Sequence, residues 1–153
     1  MLNISHILHP TDFSESSNQA LKYACSFATQ FGAELHLLNI VSDAGIVAPP
    51  IAGYIPPDYH EQRKKYAIEE LSEYPEKILN LSCSVVRNVE EGVPFVEIIR
   101  YAKSNNIDMI VMGTHGYSGV KHLIMGSVAE NVVRKAHCPV LTVHPENYSF
   151  EMP

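Results

Sequence analysis

The chain has 153 residues and a formal net charge of −6, with 46% hydrophobic and 18% charged residues. That length holds one domain with a sizeable core, and the acidic balance argues against nonspecific nucleic-acid binding, which depends on neutralising phosphates. No apolar run is long enough to span a bilayer and the first residues lack a signal-peptide core, so no membrane partner and a cytoplasmic location are expected.

Strand and helix signals alternate along the chain. Ile4 to His9 is a short apolar run ending at Pro10 and predicts the first strand. Asp12 to Phe31 predicts a helix, with Ala20, Ala24, Phe27, Ala28 and Phe31 on one face and Gly32 as the stop. Leu35 to Val41 is nearly all apolar, as in strands covered on both faces. Ser42 to Pro57, with four prolines and two glycines, predicts a long loop. Asp58 and Glu61 are spaced as a capping box for a helix carrying Ala67, Leu71, Tyr74 and Ile78 in phase, which Pro75 should kink or end. Cys83 to Val89 predicts the third strand. Pro94 suits the first turn of a helix whose stripe is Phe95, Ile98, Ile99 and Ala102. Ile107 to Met112 predicts the fourth strand, Val128, Val132, Val133 and Ala136 mark the last helix, and Pro139 to His144 predicts the fifth strand. Residues 1–145 thus form one domain, and 146–153 read as a tail.

This βαβαβαβαβ pattern predicts an α/β fold, a doubly wound five-stranded parallel sheet with helices on both faces. Two strand orders are common for five strands; in the order 3-2-1-4-5 the chain reverses direction between strands one and four, and ligands bind beyond the strand ends at such a switch. Strand one ends at Pro10-Thr11-Asp12 and strand four at Met112-Gly113. In that order the segments with the most unusual chemistry would flank one crevice.

Gly113-Thr114-His115-Gly116, followed nine residues later by Gly126-Ser127, is the most informative motif. Gly113 and Gly116 permit a tight turn and close approach of a ligand. Gly126 and Ser127 open the last helix, whose N–H groups and dipole favour an anion, and the Ser127 hydroxyl is placed to cap it. The bland alternative is a strand-to-helix connection with turn glycines and a serine cap. Asp12 either meets a ribose hydroxyl or phosphate-bound cation, or forms a capping box with Glu15. Val41 closes strand two beside the crevice, where its backbone reads a base edge or its side chain is core. His115 lies inside the glycine loop; most of the other seven histidines read as surface or strand-end residues. Lys121 is the fixed cation of that loop. Cys25, Cys83 and Cys138 are odd in number and widely spaced, as core thiols are. A P-loop, a GxGxxG after strand one, a GxSxG elbow and an HExxH pair are absent from the sequence, and no metal site is expected.

The spacing Gly113-x-x-Gly116, nine residues, then Gly126-Ser127 resembles the G-2x-G-9x-G-[S/T] signature of the universal stress protein family. His6-Ile7-Leu8-His9-Pro10-Thr11-Asp12-Phe13-Ser14 resembles the family's opening strand and acidic turn. Asp108 to Gly116 resembles its fourth strand, and Gly126 to Glu130 with Cys138 to Val143 resembles its ending. The resemblance covers nearly the whole chain and implies the order 3-2-1-4-5. It also implies ATP binding by Pro10, Thr11, Asp12, Val41, Met112, Gly113, His115, Gly116, Gly126, Ser127 and Val128. Adenine would lie near Val41, ribose near Asp12 and Gly113, and phosphates near Gly116 and Gly126-Ser127, with Mg2+ or Mn2+ held mainly through the phosphates. Many members carry a basic residue after the second glycine, where this chain has Tyr117. The resemblance further implies a homodimer through the last strand, Pro139-Val140-Leu141-Thr142-Val143, whose edge carries no charge to block pairing. The expected function is an ATP-binding regulatory or stress-response protein with at most slow hydrolysis. The alternatives are a nucleotide-free interaction module and a nucleotide-hydrolysing enzyme.

Overall fold

Five apolar segments pair in parallel in the computed structural model, which describes residues 3–42, 58–76, 82–116 and 125–146. The elements in chain order are β1 (His6–Pro10), α1 (Glu15–Phe31), β2 (Glu34–Val41), α2 (Tyr59–Glu73), β3 (Val85–Glu91), α3 (Pro94–Ser104), β4 (Met109–Gly113), α4 (Ser127–Lys135) and β5 (Val140–Val143). The sheet order is β3-β2-β1-β4-β5, the order that the family resemblance implies. The chain moves one way from β1 to β3, then crosses back to β4 on the far side of β1. Ile7 lies opposite Leu35 on β2 and opposite Met109 on β4.

Side-chain alternation divides the core into two layers. Ile7, Leu35, Leu37 and Val111 face α1 and α2, where they meet Ala20, Leu21, Ala24, Ala28 and Leu71. Leu8, Leu38, Ile110 and Met112 face α3 and α4, where they meet Ile98, Ala102, Ala129 and Val132. The small residues Ala20, Ala24 and Ala28 let α1 lie close on the sheet, and all three are fully buried. Of the two aromatics expected on that face, Phe27 only packs against the layer's margin and Phe31 is exposed. They stack on each other instead, with ring centroids 6.1 Å apart. Gly32 ends α1 in the left-handed region, at φ 64.

The helix starts differ from the expected capping boxes. Ser14, not Asp12, caps α1: its side chain accepts from the Ser17 N–H at 3.2 Å. Asp12 instead accepts from the Ser14 N–H at 3.0 Å, a local turn that places its carboxylate ahead of the helix. Phe13 between them sits at φ 63, outside any helical start. Asp58 precedes α2 without a side-chain cap, because its carboxylate accepts from the Gln62 side chain. At the other end α2 stops at Glu73, and Tyr74 is already extended, as a residue before proline must be. Residues 43–57, which hold most of the expected long loop, and Ile78, Tyr117, Lys121 and residues 147–153 lie outside the described residues.

Candidate functional site

Beyond the carboxyl ends of β1 and β4 lies a cleft of about 200 Å3. Three turns build its wall. Pro10, Thr11 and Asp12 come from the end of β1; Met112 to Gly116 come from the end of β4; Gly126 to Ala129 come from the start of α4. Leu38 and Ile40 of β2 and Pro94 and Ile98 of α3 give an apolar side. Among the described residues, Val41 alone of those expected to bind the ligand does not line the cleft. Its side chain is buried, and its carbonyl accepts from the Gly92 N–H at 3.1 Å. Leu38 and Ile40 lie on the cleft's face of the strand, and Leu38 is the register partner of Pro10. That register was the missing signal, because strand alternation alone does not say which face of β2 meets the cleft.

The glycines have different reasons for being there. A Cβ on Gly113 would lie 2.6 Å from Ser16 Oγ and 3.0 Å from the Ser16 backbone. Gly113 is therefore glycine because α1 lies against it. A Cβ on Gly116 would meet only the Asp12 carboxylate, at 2.8 Å. There the open space belongs to the cleft. Gly126 donates its N–H to the Thr114 carbonyl at 2.7 Å, which ties the start of α4 to the turn after β4. As the N-cap residue of α4, Gly126 supplies no capping side chain. Ser127 is the first helical residue rather than the cap expected for its hydroxyl. Ser127, Val128 and Ala129 line the cleft and form the first turn of a helix without a capping side chain, at the positive end of its dipole. Among the described lining residues Asp12 carries the one carboxylate, and no lysine or arginine is present.

A buried polar chain holds the β1 turn. Ser17 Oγ donates to Thr11 Oγ1 at 2.8 Å, Thr11 to the Tyr74 hydroxyl at 3.4 Å, and Tyr74 to Asn18 Oδ1 at 2.9 Å. Thr11 Oγ1 also accepts from the Phe13 N–H, and the Thr11 carbonyl accepts from Asn39. Behind them lies His9, fully buried, donating from Nδ1 to the Val111 carbonyl at 2.9 Å. Burial lowers its pKa to about 4, so His9 is a neutral bridge between β1 and β4. His36 is likewise buried. Both depart from the surface or strand-end role expected of most histidines, because each ring has a partner distant in sequence. Thr114, unremarked in the sequence, is fully buried at the cleft's edge. Among the described residues no cluster of histidine, cysteine and carboxylate could hold a metal, and no helix is long and apolar enough to cross a membrane.

A match to the Universal stress protein family spans residues 3–144. The chain belongs to the universal stress protein family. It is 36% identical to universal stress protein MJ0531 of Methanocaldococcus jannaschii over 137 residues, covering 90% of this chain and 80% of the relative. It is 32% identical to universal stress protein MJ0577 of the same organism, covering 92% and 95%. The solved structure of MJ0577 superposes with a TM-score of 0.77 over 95% of this chain and 99% of that one, at 30% identity. Two solved universal stress proteins of the same fold are complexes: one with cAMP, at TM-score 0.66, 23% identity and coverage of 95% and 100%; and one from Archaeoglobus fulgidus with dAMP, at 0.60, 18% identity and coverage of 93% and 98%.

Proposed function

We propose that this universal stress protein binds ATP in the cleft between the β1 and β4 turns and acts as a nucleotide-dependent regulator. One observation carries the reading: the uncapped first turn of α4, the Gly113–Gly116 turn and Asp12 converge on a single cleft at the sheet's switch point. Backbone donors at a helix start suit phosphate. The cradle at Gly116, which a Cβ would fill, fits a group approaching the backbone closely. The apolar side made by Leu38, Ile40, Pro94 and Ile98 suits a flat base. The complexes of relatives with cAMP and dAMP support an adenine nucleotide.

Asp12 beside Gly116 adds negative charge where the phosphates would lie, and no described lining residue is a fixed cation. A triphosphate there needs a divalent cation, and Mg2+ or Mn2+ held mainly through the phosphates and water supplies it. The same inventory bears on turnover. Rapid phosphoryl transfer needs a positioned base or water-orienting group and cations on the transferring oxygens. No described lining residue is a fixed cation for the transferring oxygens, which supports slow hydrolysis. The β5 edge, Val140–Val143, with the preceding Pro139, is half-exposed and uncharged, which suits pairing with a second copy of the chain. Residues 1–145 act as the one nucleotide-binding domain, with 146–153 as a tail, in the cytoplasm.

Equilibrium dialysis against labelled ATP with Mg2+ tests the binding. One ATP retained per chain is the expected result. No retention at millimolar ATP would leave a nucleotide-free interaction module. Single-turnover decay of the bound ATP close to the protein-free blank is expected, and rapid decay would make the protein an enzyme.

A further inference from the structure

The turn that follows β1 is held in a conformation its residue does not favour. Phe13 sits at φ 63, in the left-handed region that bulky side chains rarely enter. Among the described residues one other non-glycine residue has a positive φ, Asn106 at φ 50, and asparagine tolerates it. Phe13 is therefore kept there by its neighbours. Its N–H donates to Thr11 Oγ1 at 3.0 Å. Its ring meets the Tyr74 ring edge-on, with centroids 5.5 Å apart. Tyr74 is buried just beyond the end of α2. Its hydroxyl accepts from Thr11 Oγ1 at 3.4 Å and donates to Asn18 Oδ1. One tyrosine thus supports both the Phe13 ring and the hydroxyl that holds the Phe13 N–H.

The consequence lies one residue back. Asp12 Oδ1 accepts from the Ser14 N–H at 3.0 Å, a bond whose geometry depends on the backbone angles of Phe13 between them. Asp12 Oδ2 is the atom nearest to the place a Cβ would take on Gly116, at 2.8 Å. The carboxylate therefore reaches from the β1 turn towards the turn after β4. Asp12 lines the cleft, whereas Phe13 does not. We infer that Phe13 is a positioning residue: its left-handed backbone, clamped by Tyr74 and Thr11, aims the Asp12 carboxylate across the cleft at Gly116. A carboxylate held there accepts from a ligand hydroxyl or from water on a phosphate-bound cation. Ligand affinity then depends on a backbone angle outside the cleft, set by a tyrosine of the core layer that holds α1 and α2. The inference rests on the nucleotide reading for its effect on affinity, but the geometry of the turn stands independently of it.

The experiment compares the wild type with Phe13→Gly, Phe13→Val, Asp12→Ala and the double variant Asp12→Ala with Phe13→Val. Calorimetry with ATP and Mg2+ reads affinity. In the wild type and Phe13→Val, the one-bond Cα–Hα coupling at residue 13 reads the sign of φ without nucleotide. Glycine enters the left-handed region freely but loses the ring, whereas valine keeps more apolar contact but resists that region. A packing role alone makes valine the milder change; positioning reverses the order. The expected φ is positive in the wild type and negative in Phe13→Val. ATP affinity stays within about threefold of the wild type in Phe13→Gly and falls roughly tenfold in Phe13→Val. Asp12→Ala also weakens ATP roughly tenfold, and adding Phe13→Val to it costs less than about twofold more. A larger loss in Phe13→Gly than in Phe13→Val, a positive φ in Phe13→Val, or full additivity with Asp12→Ala would overturn the inference. So would unchanged affinity in Asp12→Ala. Should Phe13→Val fail to fold, Phe13→Gly decides: a loss equal to that of Asp12→Ala contradicts the role of the backbone. A wild type that binds no ATP removes the nucleotide reading, and the coupling then judges the turn alone, with a negative wild-type φ overturning it.

Discussion

The two ends of the sheet are both rich in polar groups, yet they are built in opposite ways. At the amino end of the strands, side chains engage one another. His36 Nδ1 lies 3.0 Å from the Tyr101 hydroxyl, its Nε2 lies 3.1 Å from Glu34, and the Asp108 carboxylate accepts from the Ser5 and His6 N–H groups. At the carboxyl end, buried side chains fix the turns, and the cleft beyond them includes the glycine turn after β4 and the start of a helix in its lining. The first turn of α4 has no capping side chain, and the turn after β4 has room at Gly116. The lesson is that conspicuous side chains mark where a fold is fastened, whereas uncapped backbone donors beside glycine mark where it has room for an anion.

The comparison breaks most sharply at Gly116. Gly116→Val fills the cradle next to the mobile end of the Asp12 carboxylate, not next to backbone. ATP affinity should fall by more than about a hundredfold, with a thermal midpoint close to the wild type's. Unaltered affinity in calorimetry would remove this turn from the site.

His9 shows that the fastening groups of the carboxyl end behave as core. Its folded pKa is lowered to about 4, from the ordinary 6.5, chiefly by burial. The unfolded chain therefore binds the proton first as pH falls. His9 supports the fold fully above pH 6.5, and that support is lost between 6.5 and about 4. It amounts to about 3 kcal/mol. Burial of His36 lowers its pKa as well, so acid sensitivity should persist in part after His9→Gln. Urea midpoints across that range check this; a pH dependence unchanged in His9→Gln would contradict it.

Gly113 should answer to stability rather than binding. A Cβ there meets the Ser16 backbone at 3.0 Å, and Gly113→Ala should destabilise by about 1–3 kcal/mol in urea titration. A neutral effect would mean that α1 does not lie against this turn. The smallest effect belongs to the far end: His36→Gln should change ATP affinity by less than about twofold, and a larger change would connect the two ends of the sheet.

Local signals in the sequence carried the alternation of strands and helices, and the family's glycine spacing carried the sheet order and with it the position of the cleft. The strands are continuous apolar runs, Pro94 and Gly32 punctuate helices as expected, and the glycine spacing marks the β4–α4 connection. What escaped was set by tertiary partners. His9 looks like a strand-end histidine until Val111, 102 positions away, accepts its proton. Asp12 and Glu15 have the spacing of a capping box, but the left-handed Phe13 breaks the helical start and leaves Ser14 as cap. Thr114 has no sequence mark of its own. Its importance comes from four partners, two of them on residues 143 and 144.

The most direct test of the phosphate cradle is calorimetry of Gly126→Asp against ATP and adenosine, each with Mg2+. Aspartate is a good N-cap, so its carboxylate should occupy the first-turn N–H groups of α4 and repel phosphate without unfolding the helix. The account predicts that ATP binding is lost while adenosine binding survives. Equal weakening of the two ligands, or ATP bound as in the wild type, would contradict it.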